Sequence, residues 1–172
     1  MPHRWLPLAL LIALAPIPAL PVVAGAQSAM VRRTIGEYSF DDGGRLRLDV
    51  DGARLALFAA DGSGSRVLIY LDPSSVERWL VTADALMRGR GRATPGAETQ
   101  TPPLTHMDPS VGGSIVLTRE DVPHRGGTTT QYYLTAMGDA DHLALLPLSA
   151  MDARIVTAAL HRAVDALRTR AP

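Results

Sequence analysis

The stretch LIYLDPSSVERWL, Leu68 to Leu80, runs a short apolar strand into Asp-Pro-Ser-Ser and then into a helical pattern. Each residue of that junction has a local reason to be there. Asp72 stands at the N-cap, where a carboxylate accepts from the unpaired N–H groups of the first helical turn. Pro73 follows at N1, where its missing N–H costs nothing. Leu71 is placed to staple onto Val76, and Ser74 with Glu77 has capping-box spacing in a shifted register. Val76, Trp79, Leu80, Ala83, Leu86 and Met87 then form one apolar stripe at helical spacing, ended by Gly89. The competing reading is a nucleophile elbow with Ser74 or Ser75 as the reactive hydroxyl. An elbow needs the glycines of G-x-S-x-G so that strand and helix pack closely. They are absent here, and the cap already accounts for both serines.

Upstream, RLRLDV alternates charge with Leu46, Leu48 and Val50, and ARLALFA alternates around Leu55, Leu57 and Ala59. That period of two marks half-buried strands. Asp51-Gly52 between them reads as a type I′ hairpin link, which needs positive φ angles. Ile35 to Phe40 reads as a short strand before this pair, and DGSGS leads to a third member, Arg66 to Leu71. Residues 88–113 are rich in Gly, Pro, Thr and Ser and have no period, so they read as a long loop. The earlier grammar then returns, with strands at Ser114 to Arg119, Thr128 to Met137 and His142 to Leu148. A helix follows from Ser149 to about Arg168, with Ile155, Val156, Ala159, Leu160, Ala163, Val164 and Leu167 on its buried face.

Sliding the chain by 77 residues lays Arg54 to Met87 on Gln131 to Val164 without a gap. Leu57 meets Leu134, Ala59 meets Ala136, Leu68 meets Leu145, Leu71 meets Leu148, and Asp72 meets the second cap, Ser149. Four identities in 34 pairs is what chance gives, so the shared order of strand, turn, strand, cap and helix carries the comparison. The expected fold is α+β: an antiparallel sheet from two successive meander-plus-helix units, βββα-βββα, with the helices on one sheet face. Val67, Ile69 and Leu71 alternate with Leu68 and Tyr70, and LALLPL hardly alternates at all. These strands are apolar on both faces, which calls for cover from the other half, the long loop or a second subunit. Pro147 must sit at a strand end or an edge, because it cannot donate to a ladder.

The first 26 residues have the layout of a secretory signal peptide: Arg4, an apolar run from Leu6 to about Leu20, and Ala24-Gly25-Ala26 before the expected cut. Pro16, Pro18 and Pro21 interrupt the run, which falls short of the roughly 18 to 20 unbroken apolar residues that a membrane span needs. Cleavage after Ala26 leaves 146 residues, read as a mobile N-terminus over 27–34 and one α+β domain over 35–172. That domain divides into a first meander and helix (35–87), the loop (88–113), and a second meander and helix (114–168). The expected address is the periplasm or the exterior. With no cysteine in the chain, disulfides and lipoprotein anchoring are excluded. Lysine is also missing, so the cleaved chain carries 16 arginines against 17 acidic residues and has no net field for nucleic acid.

Four histidines remain after the cut, His106, His124, His142 and His161, without H-E-x-x-H or H-x-H spacing. They read as residues beside turns, and no metal or other cofactor is expected. DVDG at Asp49 to Gly52 fails the register of a calcium loop. Asp41-Asp42 and Glu120-Asp121 border turns, where acidic residues bond locally. Arg88, Arg90 and Arg92, alternating with glycine at the end of the first helix, could present guanidinium groups to an anionic partner. Tyr70 and Tyr133 complete the candidate partner surface. The sequence therefore points to an exported, non-enzymatic binding module whose partner is a protein, an envelope component or a second copy of the chain. The alternative is an exported hydrolase or small-ligand carrier with its site near residues 88–113, using His106, Asp108 and His124.

Overall fold

A computed structural model of the protein describes residues 32–89, 94–139 and 142–169. The expected leader and the candidates Arg90 and Arg92 lie outside the described residues. Strands β1 (Arg33–Ser39), β2 (Arg45–Asp51), β3 (Arg54–Ala60) and β4 (Arg66–Leu71) form a four-stranded antiparallel meander, and helix α1 (Pro73–Arg88) follows. Two short strands, β5 (Glu98–Gln100) and β6 (Leu104–Thr105), precede the long hairpin of β7 (Ser114–His124) and β8 (Gly127–Met137). Strand β9 (Leu143–Leu148) completes the second sheet, ordered β5-β7-β8-β9 with β6 also on β7, and helix α2 (Ala150–Arg168) closes the described chain. The fold is α+β, with antiparallel meanders leading into helices.

Both helix starts form where their caps stand. Asp72 Oδ2 accepts from the Ser75 N–H at 2.9 Å, and from the Ser74 and Ser75 hydroxyls. The Ser74–Glu77 box does not form. Asp72 has engaged Ser74, and Glu77 instead pairs with Arg168 near the end of α2 at 2.6 Å. In α2 a full capping box is present: the Asp152 N–H donates to Ser149 Oγ and the Ser149 N–H donates to Asp152 Oδ2, each at 3.1 Å.

Several boundaries differ from the sequence reading: β7 runs on to His124 rather than ending at Arg119, because Glu120 to His124 pair with Gly127 to Gln131 of β8, and others have their own physical reasons. The β2–β3 link is Gly52-Ala53 rather than Asp51-Gly52, since Asp51 pairs with Arg54, and Gly52 has a positive φ, 62°. Strand β1 starts at Arg33 because Asp49 on β2 reaches back to it: Arg32 Nε lies 2.7 Å and the Thr34 hydroxyl 2.8 Å from the Asp49 carboxylate. The segment 88–113 contributes β5 and β6 because β7 would otherwise leave an edge of unpaired backbone groups. Pro147 lies on β9, the edge strand of its sheet, as its missing N–H requires.

One buried cluster joins both halves. It takes Leu46, Leu48, Leu55, Leu57, Ile69 and Leu71 from the first sheet, and Ile115, Leu117, Leu134, Leu146 and Leu148 from the second. Val76, Trp79, Leu80 and Ala83 of α1 and Val156, Ala159, Leu160 and Ala163 of α2 fill the same cluster. Helix α1 touches β6 and β7, whereas α2 touches β1, β2 and β3 as well as β8 and β9. The helices run antiparallel: Glu77 meets Arg168, and Asp84 meets His161. No helix among the described residues is long and apolar enough to cross a membrane.

The caps carry a measurable share of stability. Asp72→Ala should lower unfolding free energy by about 1 kcal/mol and Asp72→Asn by only a few tenths, because an amide oxygen still accepts from the N–H groups. Urea denaturation of the two variants beside wild type checks the ranking. The Asp72 carboxyl is held below its ordinary 3.8, chiefly by the Ser74 hydroxyl. A depressed folded value adds stability above pH 3.8 that is lost as pH falls through it, so the Asp72→Asn curve should converge on wild type in acid.

Candidate binding surface

Strand register decides what the outward faces show. On the first sheet, successive rows across β2, β3 and β4 read Arg45–Ala60–Arg66, Arg47–Phe58–Leu68 and Asp49–Ala56–Tyr70. On the second sheet, rows across β7, β8 and β9 read Ser114–Met137–Leu143, Val116–Thr135–Leu145 and Thr118–Tyr133–Pro147. The alternate residues of β4 and β9 are fully buried, yet Leu68, Leu143 and Leu145 are 44, 46 and 41% exposed. Among the described residues these leucines lack the cover that two-sided apolar strands called for.

Tyr70 is half-buried at one end of the first outward face. The Arg54 guanidinium lies 5.3 Å from its ring centre, and the ring of His106 meets it edge-on at 6.1 Å. The Met107 N–H donates to the Tyr70 carbonyl at 2.8 Å, so the segment after β6 covers this end of the β4 edge. Tyr133, on the second outward face, donates its hydroxyl to Gln131 Oε1 at 2.7 Å. Burial, helped by the nearby Glu120 carboxylate, pushes its phenol above the ordinary 10.0. Tyr133 lines a groove of about 410 Å³ together with Asp41, Asp42, Gln131, Pro147 and Asp152. Arg88 is exposed and lines a different groove, about 590 Å³, between α1 and α2, beside Arg154 and the Asp84–His161 pair at 3.3 Å. The two tyrosines and Arg88 therefore mark separate places.

His106 and Asp108 do come together, but within one turn. His106 is buried, and its Nδ1 lies 2.9 Å from both the N–H and the carbonyl of Asp108. The Asp108 carboxylate is engaged by Ser110 through its N–H and hydroxyl, which holds it below its ordinary 3.8. His124 ends β7, ten residues from Ser114, which pairs beside His106 at Thr105. At ~3.3 Å per residue the separation is roughly 30 Å. A base, an orienting carboxylate and a third group are not assembled by these three residues. No group of three His, Asp or Glu side chains among the described residues could hold a metal ion.

The segment does flank a concavity. Trp79, Arg78, Ser75, Pro102, Pro103 and Leu104 line a groove of about 340 Å³ between α1 and the chain before β6. Trp79 Nε1 donates to Thr101 Oγ1 at 3.1 Å and to the Pro102 carbonyl at 3.0 Å, while Thr101 Oγ1 also accepts from the Leu117 N–H at 3.1 Å. Sequence reading placed Trp79 in the core and missed its polar edge, because Thr101 lies in a stretch without period.

A second polar hub is Asp121, buried although neighbouring residues are polar. Its carboxylate accepts from the Thr130 hydroxyl at 2.8 Å, the Arg119 guanidinium at 3.2 Å and the Thr94 N–H at 3.2 Å. Those donors hold it below its ordinary 3.8, with Thr130 the largest cause and Arg119 next among the donors. The hub fastens residues 94–97 to β7, where the Gly96 N–H donates to the Asp121 carbonyl and the Asp121 N–H to Ala97. Neither a protein-family model nor a curated protein sequence matches the chain.

Because the Asp121 value is lowered in the folded state, its anchoring is present above pH 3.8 and fades as pH falls through the lower folded value. Asp121→Asn should therefore raise amide exchange at Gly96 at neutral pH while leaving the core amide of Leu134 protected. Equal protection of Gly96 in variant and wild type would show that the carboxylate does not hold the segment.

Proposed function

We propose that the chain is an exported, non-enzymatic binding module whose outward sheet faces dock a protein or another envelope component. The observation that carries this reading is the exposure of Leu68, Leu143 and Leu145 on strands whose opposite faces are fully buried. Apolar side chains set together on a sheet face gain by leaving water, at roughly 25 cal/mol for each Å² of apolar surface covered. The leader layout over residues 1–26 supports export, and Gln27 is the expected new N-terminus. Tyr70 and Tyr133 border the docking faces, and Arg88 lies apart from them. A second copy of the chain is one occupant these faces could take.

A small-ligand carrier is the second reading, and the groove at Trp79 and Pro102 favours it. Its hydrolase form draws no support from His106, Asp108 and His124, for which the distances above leave no common centre.

We also propose that the two halves are one structural unit used twice, with both helices covering the inward sheet faces. Register supports this. Leu55 pairs with Leu71 and Leu57 with Ile69 in the first sheet, and 77 residues later Tyr132 pairs with Leu148 and Leu134 with Leu146. The helices begin 77 residues apart, at Pro73 and Ala150, and Asp84 and His161, which touch across the helix pair, are separated by the same 77.

Two measurements test these readings. A photo-crosslinking residue at Leu145 in the producing cell should give adducts heavier than the chain, whereas one at Val81, exposed on α1, should give none; adducts equal at both positions would sink the docking face. Intact-mass analysis of the exported fraction should show an N-terminus at Gln27. Recovery of the full-length chain from the cytoplasm alone would remove export from the proposal.

A further inference from the structure

The first outward face carries a feature that neither sheet packing nor the apolar docking face uses. Arg45, Ala60 and Arg66 stand in one row across β2, β3 and β4, and Arg47 with Phe58 occupies the next row. Neighbouring strands lie about 4.8 Å apart, so the Arg45 and Arg66 backbones are separated by roughly 10 Å with only a methyl group between them. These residues line a groove of about 470 Å³ with Phe58 and Ala60 among its lining. Arg45 and Arg66 are exposed, and among the described residues neither makes an ion pair or hydrogen bond. Arg47 lies 5.9 Å from the Phe58 ring centre. Its Nε is buried without a hydrogen bond, although Asp49 Oδ2 is 3.1 Å away.

The acidic groups nearby leave the Arg45 and Arg66 side chains without an ion pair among the described residues. Asp61 is engaged by its own turn, accepting from the Ser63 hydroxyl at 2.6 Å and from the Ser63 and Ser65 N–H groups. Glu37 faces Arg47 across β1 and β2 at the groove margin without closing to an ion pair. Asp49 is already shared between Arg32, Arg47 and Thr34. Arg45 and Arg66 each stand opposite Ala60 from its two sides, so an anion placed over that methyl group lies between two guanidinium groups.

We infer that this groove binds a tetrahedral oxyanion, the phosphate or sulfate group of a ligand whose apolar part rests on Phe58. A guanidinium fork meets both oxygens of a carboxylate in one plane, whereas Arg45 and Arg66 bring donors from two strands on either side of Ala60. Phosphate and sulfate offer three or four acceptor oxygens and match that supply. The site adjoins Leu68, which pairs with Phe58 across β3 and β4, but the arginines that define it are not among the leucines proposed to dock a partner.

Amide NMR titration of the chain with sodium phosphate, and separately with sodium sulfate, tests the assignment against sodium chloride at matched ionic strength. Saturable shifts should appear at Arg45, Phe58, Ala60 and Arg66 with both oxyanions. The double variant R45Q/R66Q should bind at least tenfold more weakly, while R154Q, in the groove between the helices, should bind as wild type does. R66Q alone, on the edge strand, gives a smaller loss and serves if the double variant fails to fold. Shifts reproduced by chloride, shifts spread equally over both grooves, or unchanged binding by R66Q would overturn the site.

Discussion

A helix that begins one residue after an edge strand has almost no freedom in where it goes. Leu71 is buried at the end of β4, Asp72 caps, and Pro73 is already helical; Leu148, Ser149 and Ala150 repeat the arrangement after β9. With a single linking residue, each helix must turn back over protein rather than travel into solvent. Its apolar stripe is thereby committed to the common core, and the core can be one because both junctions impose the same turn.

Magnitudes separate what drives this from what directs it. Fully burying a leucine contributes roughly 1.5–3 kcal/mol, and the cluster holds many with essentially no exposure. Each cap contributes about 1 kcal/mol, and the Glu77–Arg168 pair, whose side chains are 35 and 63% exposed, contributes less. Burial thus supplies the stability. The caps and the helix-to-helix pairs choose among ways of achieving it, fixing where each helix starts and the antiparallel sense in which the two lie.

This division explains which features the sequence reveals. The junctions, the strands of β2, β3 and β4 and the stripe of α1 are written in residues that are neighbours or one turn apart, so period and capping chemistry find them. Strands β5 and β6 are not, since Glu98 and Leu104 pair with Glu120 and Ile115 and have no alternation of their own. The hubs at Asp49 and Asp121 are hidden for the same reason: each looks like a turn or strand carboxylate until Arg32 or Thr94 arrives from elsewhere. Glycine placement escapes by one residue at Gly52, because Asp-Gly and Gly-Ala links demand the same glycine and differ only in register.

Period also tells that a strand has two faces without telling which is covered. In β4 and β9 both faces are apolar, and only the packed structure shows Ile69 and Leu146 at zero exposure while Leu68 and Leu145 remain in water. The arginine row raises the same question with charge in place of apolar surface. Arg45 and Arg66 repel across Ala60, and outward leucines hold water at unfavourable contact, so neither group stabilises the fold that displays it. Other outward positions show what the fold does when it needs something there: Arg54 stacks on Tyr70, and Asp49 ties β1 to β2. For these outward residues the proposed partners lie outside the chain, an apolar surface for the leucines and an oxyanion for the arginines.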